Sequence, residues 1–122
     1  MIVEERLVTY LHSLEQENSE ILEEIEQAAL RDSVPIIRKE MQSFLKVLLA
    51  IKRPTRILEV GTAVGFSALL MSEYAPEECT ITTIENYEKR IPIARENFKR
   101  AGKEQKITLI EGDAMEVLTE LS

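Results

Sequence analysis

The chain has one cysteine, one histidine, no tryptophan, and no apolar run approaching the length of a membrane span. Each scarcity removes a class of reading. A single cysteine, Cys79, excludes an internal disulfide and fits a reducing, cytoplasmic setting. It precedes an apolar strand, where a half-buried inert thiol is a plainer reading than a nucleophile. His12 stands alone in the N-terminal helical stretch, so a surface imidazole outweighs a catalytic base. No residues show metal-ligand spacing, and no Ser/His/Asp set can be assembled, so neither a metal ligand nor a catalytic residue is assigned within this chain. The start, Met1-Ile2-Val3-Glu4-Glu5-Arg6, is acidic and lacks the basic-then-apolar order of a signal peptide. Positive charge is also in deficit. Fifteen Lys and Arg against 22 Asp and Glu give a net charge of −7, which argues against a large nucleic-acid footprint but not against a local basic patch. Lys52, Arg53 and Arg56 gather before the first strand, and Lys99, Arg100, Lys103 and Lys106 gather later; both groups read most simply as solvated surface.

What is present is an ordinary globular composition, 44% hydrophobic and 30% charged over 122 residues, enough for one domain with a real core. The first fifty residues read as helices. Val3, Leu7, Leu11 and Leu14 recur at helical spacing, and Asn18 or Ser19 can cap a second helix with Leu22, Ile25 and Ala29 on its apolar face. Glu15, Glu17, Glu20, Glu23, Glu24 and Glu26 read as a solvated acidic face. After Pro35, a third helix carries the stripe Met41, Leu45, Leu48 and Leu49 and closes at Lys52, Arg53 and Pro54. From Arg56 the chain alternates. Strands are predicted at Ile57 to Val60, Thr80 to Ile84 and Lys106 to Glu111. Between and after them come helices over Phe66 to Tyr74, over Tyr87 to Ala101, and from Ala114 onward. This is an α/β pattern: N-terminal helices, then half of a doubly wound, Rossmann-like parallel sheet in the order 3-2-1. Residues 1–53 form the helical segment and residues 54–122 a partial cofactor-binding domain, packed as one compact unit. The nearly continuous apolar character of Ile57, Leu58 and Val60 marks a central strand covered on both faces, so we expect the N-terminal half of a larger enzyme.

The most informative stretch is Ile57-Leu58-Glu59-Val60-Gly61-Thr62-Ala63-Val64-Gly65-Phe66-Ser67, followed twenty residues after Gly65 by Glu85. An apolar strand runs into a glycine turn and a helix, and the next strand ends in a carboxylate, which is the layout of a nucleotide-type cofactor site. The Glu-x-Gly-x-x-x-Gly spacing differs from the Gly-x-Gly-x-x-Gly that cradles a pyrophosphate. It points to S-adenosylmethionine, which carries no phosphate but needs room beside the turn and an acid for its ribose. A side chain at Gly61 or Gly65 would fill that room or obstruct helix-to-strand packing, although a plain βα turn also favours glycine. Glu59, costly inside an apolar strand unless hydrogen-bonded, reads as orienting the cofactor's amino-acid end or the turn amides. Glu85 can accept from two ribose hydroxyls, or can sit favourably beside a helix start. Asp113 stands where such a fold places groups against an adenine, and it can equally cap a helix. Ser67 can donate or accept at the start of the post-turn helix.

On Val34-Pro35-Ile36-Ile37, the Arg56 to Ser67 stretch, Thr83-Ile84-Glu85 and Glu111-Gly112-Asp113-Ala114, the chain resembles the class I O-methyltransferases of the cation-dependent, catechol/caffeoyl-CoA type. Within them it is most similar to the bacterial branch that methylates 5-hydroxyuridine of tRNA. The resemblance implies that Ile37, Glu59, Gly61, Gly65, Ser67, Glu85, Asp113 and Ala114 contact S-adenosyl-L-methionine. It further implies a homodimer, an acceptor that is tRNA or a small hydroxylated molecule, and a Mg²⁺ ion in the whole enzyme whose acidic ligands do not occur in this chain. Two readings of other kinds compete: an NAD-binding oxidoreductase module, and a non-catalytic interaction domain pairing through its first strand.

Overall fold

The structure, a computed structural model, describes residues 18–121. The predicted first helix, with His12, Glu15 and Glu17, lies outside them. Element order is α1 (Glu20–Arg31), α2 (Lys39–Lys52), β1 (Arg56–Val60), α3 (Phe66–Tyr74), β2 (Thr80–Glu85), α4 (Ile91–Arg100), β3 (Ile107–Glu111) and α5 (Ala114–Leu121). The three strands are parallel with β2 in the middle, so the 3-2-1 order stands. The register sets Glu59 beside Thr83 and Thr83 beside Leu109.

Side chains alternate across a strand, so each sheet face collects one parity of residues. One face carries Ile57, Ile81, Ile107 and Leu109, which join the main core with Phe66, Leu69 and Phe98. α3 has no polar side because it is sandwiched. The sheet lies beneath it, and α1 and α2 pack over it with Leu22, Ile25, Ala29 and Leu49. Among the described residues the other face receives α5, with Ile84 and Val117 buried and Leu58 and Val60 left exposed at 50% and 58%. Among the described residues β1 is therefore an edge strand open on one face, as expected of a strand whose apolar run suits cover on both faces in a larger enzyme.

Three local expectations change. The buried side of α2 is Gln42, Ser43 and Leu49 with half-buried Leu45, whereas Met41 and Leu48 face outward beside Phe44 and Ile51. Gln42 decides this, because its amide is fully employed inside. It donates to Glu26 Oε2 at 2.9 Å and to the Ile37 carbonyl at 3.0 Å, and accepts from Asn18 Nδ2 at 3.1 Å. Glu26 accordingly leaves the acidic face and is buried, paired with Lys39 at 2.9 Å. Ser19 rather than Asn18 caps α1, accepting from the Leu22 amide. Finally, α4 begins at Ile91 and not at Tyr87, since residues 88–90 form a turn closed by Arg90 N–H donating to Tyr87 O at 3.0 Å. Pro92 then occupies the first helical turn, where its missing N–H costs nothing.

Candidate functional site

The C-terminal ends of the parallel strands converge on the turn after β1, the place where open α/β sheets bind ligands. The turn is tied at every step. Gly61 N–H donates to Ile84 O at 2.8 Å, Ala63 N–H to Glu85 Oε1 at 2.8 Å, and Gly65 N–H to Thr62 O at 2.9 Å. Asn97, buried on α4, donates to Val64 O at 2.8 Å.

The two glycines do different work. Both have left-handed φ, +91° at Gly61 and +90° at Gly65, which side chains disfavour. A Cβ at Gly65 would lie 2.6 Å from Phe98 Cε1, so Gly65 permits α4 to close on the turn. A Cβ at Gly61 would meet nothing within 4 Å: that residue borders open space.

That space consists of two clefts meeting at Gly61. The larger, about 320 Å³, lies between the turn and the Pro35–Ile37 segment and is lined also by Thr62, Ala63, Val64, Phe66 and Ser67. The smaller, about 160 Å³, is lined by Val60, Gly61, Ile84, Glu85, Asn86, Gly112, Asp113 and Ala114. Ile37 and Ser67 thus fall on one side, Glu85, Asp113 and Ala114 on the other, and Gly61 borders both. Glu59 and Gly65 line neither.

Glu59 lies beneath the turn. Thr83 Oγ1 donates to its Oε1 at 2.6 Å, and Ser67 Oγ donates to its Oε2. Burial pushes the Glu59 carboxyl above the ordinary carboxylate value, against the two hydroxyl donors that favour the ion, and repulsion from Glu85 adds to the rise. Thr62 and Thr83 share a hydrogen bond of 2.7 Å. Glu85 is half-buried. Its Oε1 accepts from Ala63, while its Oε2 accepts from the Asn86 and Tyr87 amides at 3.2 and 3.1 Å. With about four acceptor sites on a carboxylate, one at Oε1 stays open, and the two longer bonds are the ones a second hydroxyl could displace. Asp113 Oδ1 caps α5, accepting from Met115 N–H at 2.9 Å and Glu116 N–H at 3.3 Å, so its capping and cleft-lining readings hold together.

Sequence reasoning missed Gln42, Thr62, Thr83 and Asn97. A glutamine within an apolar stripe signals Gln42; the others emerge only once strands and helices are paired. Cys79 is 1% exposed and burial raises its thiol pKa, against the influence of Lys106, as an inert thiol requires. Among the described residues no three His, Cys, Asp or Glu side chains converge to hold a metal ion, and no helix is long and apolar enough to cross a membrane.

Comparison with known proteins agrees with this geometry. Residues 12–122 match the family model described as O-methyltransferase. A catechol O-methyltransferase of Mycobacterium tuberculosis is 29% identical over 70% of this chain and 39% of its own length. A caffeoyl-CoA O-methyltransferase of Populus kitakamiensis is 33% identical over 73% of this chain and 37% of its own. The crystal structure of an SAH-bound methyltransferase from Podospora anserina superposes with a TM-score of 0.83 at 28% identity, covering 96% of this chain and 52% of that one. The chain thus spans less than half the length of the two curated relatives and about half that of the solved structure. A left-handed glycine turn between two clefts, an acid at the tip of β2 and a match over nearly the whole sequence lead to one conclusion: the chain belongs to the O-methyltransferase family.

Proposed function

We propose that this chain supplies the S-adenosylmethionine-binding part of an O-methyltransferase whose acceptor is a hydroxyl on a small aromatic molecule. The observation that carries the reading is the open space at Gly61, flanked by Ile37 and Ser67 on one side and Glu85, Asp113 and Ala114 on the other. Glu85 takes the ribose through the acceptor position left at Oε1. The Asp113–Ala114 turn borders the base, and the apolar wall at Ile36 and Ile37 borders the rest. Glu59 and Gly65 serve from beneath, by shaping the turn. When bound, the cofactor supplies an electrophilic sulfonium methyl for attack by a hydroxyl oxygen. The described residues offer no cation site, so no metal-assisted step is assigned to them. Residues 54–122 act as the cofactor half and residues 18–53 as its cover, with negligible turnover by the 122-residue chain alone.

Two observations support the small acceptor over tRNA. The two curated relatives above are named for catechol and caffeoyl-CoA. Both basic clusters also sit at the N-terminal ends of the strands, around Arg56 and before Ile107, the opposite end of the sheet from the clefts. Phosphate contacts there would not present a base to the turn.

Titration calorimetry of the chain with S-adenosylmethionine tests the reading. Binding should be measurable, and Glu85→Ala should lower affinity by about tenfold or more, the loss of a charge-assisted hydrogen-bond pair. A folded chain that binds no cofactor, or one indifferent to Glu85→Ala, overturns it. Parallel titrations with catechol and a tRNA anticodon stem-loop distinguish the acceptors. Cofactor-dependent binding of the stem-loop alone would reject the small-molecule choice.

A further inference from the structure

Thr83 stands at the middle of the sheet with 0% of its surface exposed, and its hydroxyl has two partners, Glu59 and Thr62. A hydroxyl has one proton to give. With Glu59 as the carboxylate, that proton goes to Oε1 at 2.6 Å. The 2.7 Å contact with Thr62 must then run the other way, Thr62 donating to Thr83. Ser67 arrives from α3 and donates to the other carboxylate oxygen. One half-buried carboxylate thus orders three hydroxyls, two directly and Thr62 through Thr83, and each bond polarises the next.

The end of this chain of bonds is the turn itself. Thr62, 2% exposed, lies between Gly61 and Ala63, whose amides reach Ile84 O and Glu85 Oε1, and its carbonyl accepts from Gly65 N–H. With its hydroxyl held by Thr83, Thr62 cannot turn about its own backbone dihedrals without breaking that bond, so the peptides on both sides of it are held, and with them the space at Gly61 and the aim of the Ala63 amide at Glu85. The strand register supplies the lever, because Glu59 and Thr83 are direct cross-strand partners on the closed face.

We propose that Thr83 is a positioning residue for cofactor binding: acting through Thr62 and Glu59, it holds the Gly61–Ala63 backbone in the shape that keeps the cleft open and the Ala63 amide on Glu85. The inference rests on the cofactor reading above, but one of its readouts does not need the cofactor. Valine matches threonine in shape and suits a strand, yet would leave Glu59 Oε1 and the Thr62 hydroxyl without partners in a buried setting.

The experiment compares the wild-type chain with Thr83→Val and Thr83→Ser by amide hydrogen exchange of residues 61–65 and by calorimetric titration with S-adenosylmethionine. Thr83→Val should speed exchange at Ala63 and Gly65 by about fivefold or more and weaken the cofactor by a similar factor, the size of one lost buried hydrogen bond. Thr83→Ser, which keeps the hydroxyl, should restore both. Unchanged exchange in Thr83→Val, or a serine variant that behaves like valine, overturns the proposal by showing that only packing matters. If Thr83→Val does not fold, Thr62→Val, which leaves Thr83 bonded to Glu59, must loosen the same amides or the proposal fails. A wild-type chain that binds no cofactor while Thr83→Val still loosens the turn would reject the function and retain the positioning role.

Discussion

The two faces of the sheet are built from the same three strands but carry different loads. On one, Ile57, Ile81, Ile107 and Leu109 lie under α3 and α4, with α1 and α2 stacked outside, and buried Thr83 pairs there with half-buried Glu59. On the other, α5 covers Ile84 while Leu58 and Val60 meet solvent. Burial of apolar surface is the main stabilising contribution to folding, so most of the stability within the described residues resides on the closed face. It also lets that face hold the half-buried Glu59 carboxylate, with the Thr83 and Ser67 hydroxyls on its two oxygens and Thr62 behind Thr83.

Substitutions can measure the asymmetry. The largest loss should follow Ile81→Ala on the closed face, about 3 kcal/mol in denaturant unfolding, from lost transfer energy and the cavity left behind; a cost below that of Leu58→Ala would invert the comparison. Next comes Gly65→Ala, at about 2 kcal/mol, since it combines a left-handed φ with a clash against Phe98. Adding Phe98→Leu should recover part of that loss, and no recovery would mean that backbone strain alone sets the cost. Glu59→Gln sharpens the electrostatic side. Because the folded carboxyl is raised above 4.5, its contribution to stability is complete below that pH and is lost as pH rises through the folded value. The glutamine variant cannot titrate, so its stability should decline less than wild type from pH 4 to pH 8; identical slopes in the two proteins would show that burial does not perturb Glu59. The smallest effect belongs to the open face. Leu58→Thr should change stability by less than about 0.5 kcal/mol while reducing self-association in light scattering.

Much of this arrangement was legible in the sequence, and the exceptions share a cause. Short apolar runs separated by glycine, proline and acid turns placed all three strands and their order, because parallel strands joined by helices leave few topologies. The glycine motif and Glu85 located the clefts. Local periodicity failed wherever a single polar side chain overruled it. Gln42 turned α2 so that Met41 and Leu48 face out. Glu85, accepting from the Asn86 and Tyr87 amides, held the next residues out of the helix that their apolar spacing suggests. The division of labour between Gly61 and Gly65 depends on where the Phe98 ring comes to rest, which no local pattern encodes. Thr83 became visible only through register, since its partner Glu59 lies 24 residues away.

Gln42 has a consequence at long range. Its one amide group joins Asn18, Glu26 and the Ile37 carbonyl, so the start of α1, the middle of α1 and the wall of the larger cleft share a single anchor. Opening of that wall breaks the bond from Gln42 to the Ile37 carbonyl, and the amide that loses it also holds Asn18 and Glu26. A ligand that seats against Ile37 should therefore slow exchange at amides of α1 that it never touches, which native-state hydrogen exchange with and without ligand would measure.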